Sequence, residues 1–388
     1  MTKFKKVILF CHRWLGFTSG LVVFIVSVTG CLFCFQDEIQ DAFYSYRKVE
    51  IQHKPYLAPS ILKAEALKGH KGATATYMYY YGVNRPAGIL VNLPKDGMLY
   101  VYLNPYTGKV THIENPAKNF FIVVEFIHLY LLLPPKIGSL VVGISVIIFM
   151  VIMITGLILW WPKRKSDRKR SFNIKWNGRW RRVNYDLHNV LGFYATSIAL
   201  ILSITGLSMV FQSVREGIYT TANLGRSFPS EKEVLKSDSL LKNKLSGKPV
   251  IDQVFAMSQA WAPKAEMYSI MEDASAAGTI GINAYAQTLH YYRSDEFIFE
   301  KYTGKLLKQT PHDKKSPGMK MNDMNYDLHV GQIGGLTTKI IAFLVSLICA
   351  SLPITGFIIW LGKRKKTKSK SKKVKEVVHR RVHKQHLA

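Results

Sequence analysis

Four stretches of this chain repeat one pattern, and the pattern leaves few folds open. The first runs from His12-Arg13-Trp14-Leu15-Gly16 to Thr29-Gly30, and the third from His188-Asn189-Val190-Leu191-Gly192 to Thr205-Gly206. In both, Gly follows His by 4 residues, Thr by 17 and Gln (Gln36, Gln212) by 24. The second runs from His128 to Thr155-Gly156 and ends at Trp160; the fourth runs from His329 to Thr355-Gly356 and ends at Trp360. Their His-to-Thr spacings are 27 and 26, a slip of one residue.

Each stretch contains an uncharged apolar run: Trp14–Phe35, Ile137–Trp161, Asn189–Phe211 and Ile340–Leu361. Every run is long enough to cross a hydrocarbon core of about 30 Å as a helix rising about 1.5 Å per residue. The sequence therefore predicts an integral membrane protein with four spans in a lipid bilayer. Lysines 3, 5 and 6, the basic stretch Lys163–Arg182 and the basic stretch Lys363–Lys384 flank these spans, while the long loops 37–120 and 213–320 carry mixed charge. Lys and Arg beside spans stay in the cytoplasm, which puts both termini and the short loop inside and both long loops outside. The net charge of +28 is mostly this signal rather than a nucleic-acid surface. The first apolar run is too long for a signal peptide and lacks a small-residue cleavage site, so an uncleaved span is expected.

The loops give strand signals. Ala75–Tyr81, Gly88–Asn92 and Leu99–Leu103 are aromatic or β-branched, and Asn104-Pro105-Tyr106-Thr107-Gly108-Lys109 reads as a turn. Glu296–Leu306 repeats the Tyr-Thr-Gly-Lys turn at Tyr302–Lys305. The chain is thus two copies of span, external α+β module, span and basic segment, a repetition that places working sites between halves. None of the four cysteines lies in a long loop, and Cys31 and Cys34 form a C-x-x-C inside the first span, where cysteine packs as a small apolar residue.

An ionisable residue at a span is costly and marks function. The topology sorts the four repeated histidines: His12 and His188 fall near the inner face, His128 and His329 near the outer. Two pairs on opposite faces are what two bis-histidine haems require. The absence of C-x-x-C-H disfavours covalent attachment and points to haem b. Gly16 and Gly20 share a helical stripe with His12, and Gly192 and Thr196 share one with His188; they leave room for a flat ring or pack helices as G-x-x-x-G does. The Thr-Gly pairs fall at the far end of each span from its own His, where they would pack against the other haem. From His128 to Trp160 is too long for one span, so Pro134-Pro135 should break the helix. No dinucleotide fingerprint follows a strand, so electrons would come from quinol or a separate reductase. Trp176, Arg179, Trp180, Arg181 and Arg182 read as an interface anchor or as partners for propionates or a donor. The tyrosines 77–81 and the segment His290-Tyr291-Tyr292 read as sheet core or as ligand-facing. Met319, Met321 and Met324, expected in a solvated loop, keep copper open because thioethers bind Cu(I).

The paired H-x-x-L-G…T-G and T-G-x-x-x-W spans, with two Tyr-Thr-Gly-Lys hairpins between them, resemble the PepSY-associated transmembrane family over nearly the whole chain. The resemblance implies a Gram-negative inner-membrane protein; its better understood members are di-haem reductases that release iron from siderophores in the periplasm. His12, His128, His188 and His329 match the family's histidine positions, while Tyr130–Pro135 and Val330-Gly331-Gln332 depart from one another. The expected fold is a membrane all-α four-helix bundle with two periplasmic α+β PepSY-like modules. Its segments are helix 1–36, module 37–120, helix 121–162, cytoplasmic loop 163–183, helix 184–212, module 213–322, helix 323–361 and tail 362–388. The expected function is reduction of a ferric siderophore through two b haems. Copper or another periplasmic acceptor, or siderophore or metal permeation without catalysis, are the alternatives.

Overall fold

The computed structural model describes residues 2–95, 97–162, 164–244 and 247–385. Lys163 and the last three residues of the basic tail lie outside them. The chain divides into two compact units: Met1–Cys31, Ile127–Ile204 and Ile341–Ala388 form the first, Leu32–Phe126 and Thr205–Ile340 the second.

Among the described residues, four helices are long and apolar enough to cross a membrane: Lys3–Cys34, Pro135–Trp160, Trp180–Val210 and Leu336–Arg364. They match the four runs expected from the sequence, each extended at its N-terminal end. In the first unit, Met153, Ala195, Ala199, Val345 and Cys349 pack residues of the second, third and fourth spans together. Aromatic pairs join the ends of the spans. Phe17 meets Trp360 at 5.1 Å between ring centres, and Phe193 stacks on Trp160 at 3.9 Å. Each phenylalanine follows its histidine, His12 or His188, by five residues, so the sequence repeat is also a packing repeat.

The second span does break where two prolines predict it. A helix over Phe120–Tyr130 ends, Leu131 and Leu132 adopt left-handed backbone (φ 54° and 59°), and a new helix starts with Pro135 in its first turn. A proline is tolerated there because its missing N–H would be unpaired anyway. Gly138 makes the reversal possible: a Cβ on it would come within 2.6 Å of the Tyr130 Cα, and nearer still to the Tyr130 carbonyl oxygen. The fourth segment breaks too, without proline. His329 ends the short helix Asn325–His329, Gly331 and Gly335 take positive φ, and the span begins at Leu336.

In the second unit the two long loops, expected as two modules, each give four strands to one sheet. The first loop gives β1 (Thr74–Tyr80), β2 (Ala87–Asn92), β3 (Met98–Leu103) and β4 (Val110–Glu114). The second gives β5 (Met267–Glu272), β6 (Thr279–Gln287), β7 (His290–Glu300) and β8 (Leu306–Thr310). The order is β4-β3-β2-β1-β5-β6-β7-β8, every neighbour antiparallel. The halves join through β1 and β5, the edge strand of each half, so one pairing removes two open edges.

One sheet face is apolar. Met78, Tyr80, Ile89, Val101, Ile270 and Phe297 pack there with residues of the helices Pro59–Leu67 and Val250–Trp261. The other face carries Tyr77, Tyr79, Tyr100, Tyr102 and Tyr285, as alternation along a strand requires, while Tyr268 joins Tyr80 on the apolar face. The turns are twins: Gly108 and Gly304 have φ of 73° and 71°. Asn104 Oδ1 accepts the N–H groups of Tyr106 and Thr107, as Glu300 Oε2 accepts those of Tyr302 and Thr303. The methionine segment is a helix, Pro317–Asp323, and not a solvated loop: Pro317 opens it and the Ser316 hydroxyl caps it by accepting Met319 N–H.

Candidate functional site

All four repeated histidines sit in the same device. Nδ1 of His12 lies 3.0 Å from Thr155 Oγ1, Nδ1 of His128 3.0 Å from Thr29 Oγ1, Nδ1 of His188 3.0 Å from Thr355 Oγ1, and Nδ1 of His329 3.0 Å from Thr205 Oγ1. The glycine after each threonine lies under the same ring. A Cβ at Gly156, Gly30, Gly356 or Gly206 would stand 3.3, 3.4, 3.2 or 2.9 Å from the Cε1 of that histidine. The Thr-Gly pair is therefore a clamp: the hydroxyl holds one ring nitrogen, and the missing side chain admits the ring edge. The clamps are reciprocal. The first span holds His128 and the second holds His12; the third holds His329 and the fourth holds His188.

The hydrogen bonds decide the tautomer. His12 Nδ1 is also 3.1 Å from the Ile152 carbonyl, and His128 Nδ1 is 3.0 Å from the Val26 carbonyl. A carbonyl only accepts, so both Nδ1 atoms carry the proton. Thr155, Thr29 and Thr355 spend their own hydroxyl protons on carbonyls of the preceding turn, for example Thr155 on Val151 at 2.9 Å. Each oxygen can then only accept from the imidazole. With Nδ1 protonated, Nε2 carries the lone pair that binds a metal, an orientation set from behind the ligand.

The first unit brings His12 and His188 together, their ring centres 6.4 Å apart and their planes at 87°. Among the described residues no hydrogen bond reaches Nε2 of either ring. Metal–imidazole bonds of about 2.0 Å, with Nε2 about 1.1 Å from its ring centre, separate the centres of two opposed ligands by about 6 Å. The separation of the two ring centres thus matches that of two imidazoles on one iron. His188 occupies a π-helical turn, Leu187–Leu191, a local widening found often at functional positions. His128 lies in the first unit and His329 in the second, each in its clamp.

The small residues divide between the two readings. At Gly16 a Cβ would meet nothing within 4 Å, which leaves room beside His12. At Gly20 it would touch Pro353, and at Gly192 Leu352, so these two pack helices. Of the basic patch, Arg182 is paired with Asp186 at 2.8 Å, while Trp176 and Trp180 are exposed, as interface anchors are. Cys31 and Cys34 are buried and are not joined in a disulfide.

The family described as the PepSY-associated TM region matches residues 9–363. The chain belongs to this family. It is accordingly a multi-pass membrane protein, and the match takes in all four clamped histidines of this PepSY-associated chain. No curated protein matches it.

The sequence reading named the four histidines and missed the threonines as their partners, giving the Thr-Gly pairs to packing against the haem. It also missed the fastening of His329. Asn325 Nδ2 donates to the Thr205 carbonyl at 3.1 Å, Asn325 Oδ1 accepts from Ser208 at 2.7 Å, and Asp327 is fully buried against β7. Burial raises the Asp327 carboxyl pKa, and the N–H groups of Tyr292 and Tyr291 pull it partly back.

Proposed function

We propose that this chain is a di-haem b electron-transfer protein of the bacterial inner membrane that reduces ferric-siderophore iron in the periplasm. The observation that supports the reading is the fourfold clamp, which holds all four repeated histidines by Nδ1 and leaves Nε2 of His12, His128 and His188 as the lone-pair atom, together with the 6.4 Å between the ring centres of His12 and His188. Haem b in these sites would supply one-electron exchange. His12 and His188 would hold the inner haem, His128 and His329 the outer. Thr155, Thr29 and Thr355 keep Nδ1 of their histidines protonated, Thr205 stands 3.0 Å from Nδ1 of His329, and the paired glycines let the ring edges seat. The spans exclude water from the inner pair.

The flanking charges support an orientation with both termini and the short loop in the cytoplasm and the sheet outside. Electrons enter from quinol or a separate reductase. A ferric siderophore is the substrate that needs least from the protein: Fe(II) is held far more weakly than Fe(III) in such a chelate, so one electron loosens it without acid–base groups.

The test is direct. Purified protein should yield close to two haems per chain by pyridine haemochrome. Dithionite-reduced protein mixed with a ferric siderophore in stopped flow should oxidise rapidly, with Fe(II) caught by a ferrous chelator. Haem-free protein that retains activity would end the reading. Oxidation by Cu(II) alone, lost on replacing Met319, Met321 and Met324, would replace it with copper reduction.

The clamp makes a further prediction. Thr155→Val keeps the shape and removes one of the two acceptors behind His12, leaving the Ile152 carbonyl, so haem affinity at the inner site should fall about tenfold, the low end for such a partner. Thr155→Ser should restore it. Haem titration of the apoprotein measures both, and equal affinity in Val and wild type would deny the clamp its role.

A further inference from the structure

The five-residue helix Asn325–His329 is fastened at more points than its length explains. Asn325 ties its start to the end of the third span, through Thr205 and Ser208. Tyr326 accepts a hydrogen bond from Gln36 at 3.4 Å and meets the Tyr291 ring edge-on at 5.3 Å. Asp327 is 0 % exposed, and its Oδ2 accepts from the backbone N–H groups of Tyr291 (3.0 Å) and Tyr292 (2.9 Å). Those two residues lie where β7 departs from the register of β6, between the pairs Tyr285↔Ser294 and Gln287↔His290. A bulge leaves such N–H groups without a ladder partner, and Asp327 supplies one.

The choice of a carboxylate is costly. Burying an ionisable group without full pairing destabilises a fold, and Asp327 Oδ1 is buried with no hydrogen-bond partner among the described residues. A group kept at that cost calls for an account, and its place gives one. It joins the sheet to the helix that ends in His329, two residues further on.

We infer that Asp327 is a positioning residue: it fastens the His329 helix to the bulge in β7, so that the sheet sets the orientation of one haem ligand. This rests on the di-haem reading and adds to it a mechanical path from the external sheet to the outer site. Tyr291 lies on that path, since its ring is also 5.6 Å from Tyr285 and 6.5 Å from Tyr79 on the tyrosine face.

The experiment uses the full-length protein in detergent, with Asp327→Ala and Asp327→Asn. Asparagine keeps a carbonyl oxygen for both N–H donors; alanine keeps nothing. In Asp327→Ala the low-spin EPR signal of one haem should move, and that haem should bind about tenfold more weakly. The haem lost in His12→Ala should stay unchanged in the same sample, which shows that the protein is folded. Asp327→Asn should return both properties to wild type. Unchanged signals in Asp327→Ala, equal disturbance of both haems, or an asparagine variant as poor as alanine would each overturn the inference while leaving two haems in the wild type. Amide hydrogen exchange over residues 325–334 is the arm that needs no haem. Asp327→Ala should lose protection there at least tenfold, and equal protection in variant and wild type overturns the tie. A haem-free wild type would defeat the di-haem reading and leave this arm to judge the tie alone.

Discussion

Replacing His12 or His188 by alanine should take the protein from about two haems per chain to about one, and should remove the same haem in both cases. The two rings are 6.4 Å apart across the two halves of the chain, so each variant would remove one of the two proposed ligands of the same haem. The other haem should keep its spectrum, because its proposed ligands are clamped by different threonines, Thr29 and Thr205. Reduction of external ferric siderophore by a cytoplasmic-side donor should fall to background, since the path is cut at its inner end. Dithionite added outside should still reduce the remaining haem. Difference spectra of the two variants decide it: if they lose different species, the pairing of His12 with His188 is wrong.

Gly138→Ala should be nearly as severe, although Gly138 touches no proposed ligand. The added Cβ would meet backbone, the Tyr130 carbonyl and Cα, and backbone cannot swing aside as a side chain can. The loop it would push on is already strained. Leu131 and Leu132 both stand in the left-handed region, which costs an L-residue about 1–2 kcal/mol each. Forcing an extra methyl into a filled site costs about 1–3 kcal/mol more. The reversal should open, and the helix carrying His128 should leave Thr29 and Gly30. The expected result is loss of one haem, the one that survives in His12→Ala, with a lowered thermal midpoint. Retention of both haems at wild-type stability would mean that the reversal does not hold His128.

Much of this was legible in the residues. Hydrophobicity alone locates four spans, because a run of more than twenty apolar residues has no other stable place. The repeat picks four histidines out of twelve. The strands of the first loop show in their aromatic alternation, and the twin turns in Tyr-Thr-Gly-Lys. What escaped is contact across distance. His12 and Thr29 are 17 residues apart, about 26 Å along a helix, so they cannot meet. Antiparallel neighbours bring the Thr-Gly of one span level with the His of the next, and that register is written in no local pattern. The joining of β1 to β5 was hidden likewise: Tyr77 and Met271 are far apart in the chain, and nothing in either strand names its partner. Asp327 falls inside the stretch 323–361 expected as a helix, and nothing in the sequence marks it as the acceptor that β7 needs.

Each half of the chain makes both a ligand and the clamp for it, yet the close pair His12 and His188 takes one ring from each half. A half is therefore a finished presenter of ligands and an unfinished binding site. Two identical halves about a two-fold axis would complete it, because a two-fold contact is self-complementary. The β1–β5 pairing is of that kind, one strand against its counterpart, running antiparallel. The molecule reads as a dimer whose subunits have been written into one chain. Fusion fixes the stoichiometry at one of each, and it frees the copies to diverge. They have done so where the second and fourth spans begin, at Leu131–Pro135 and at Val330–Gly335. A symmetric pair must show its surroundings the same face twice. A fused pair can give one face to an acceptor and keep the other for holding the ligand that serves it.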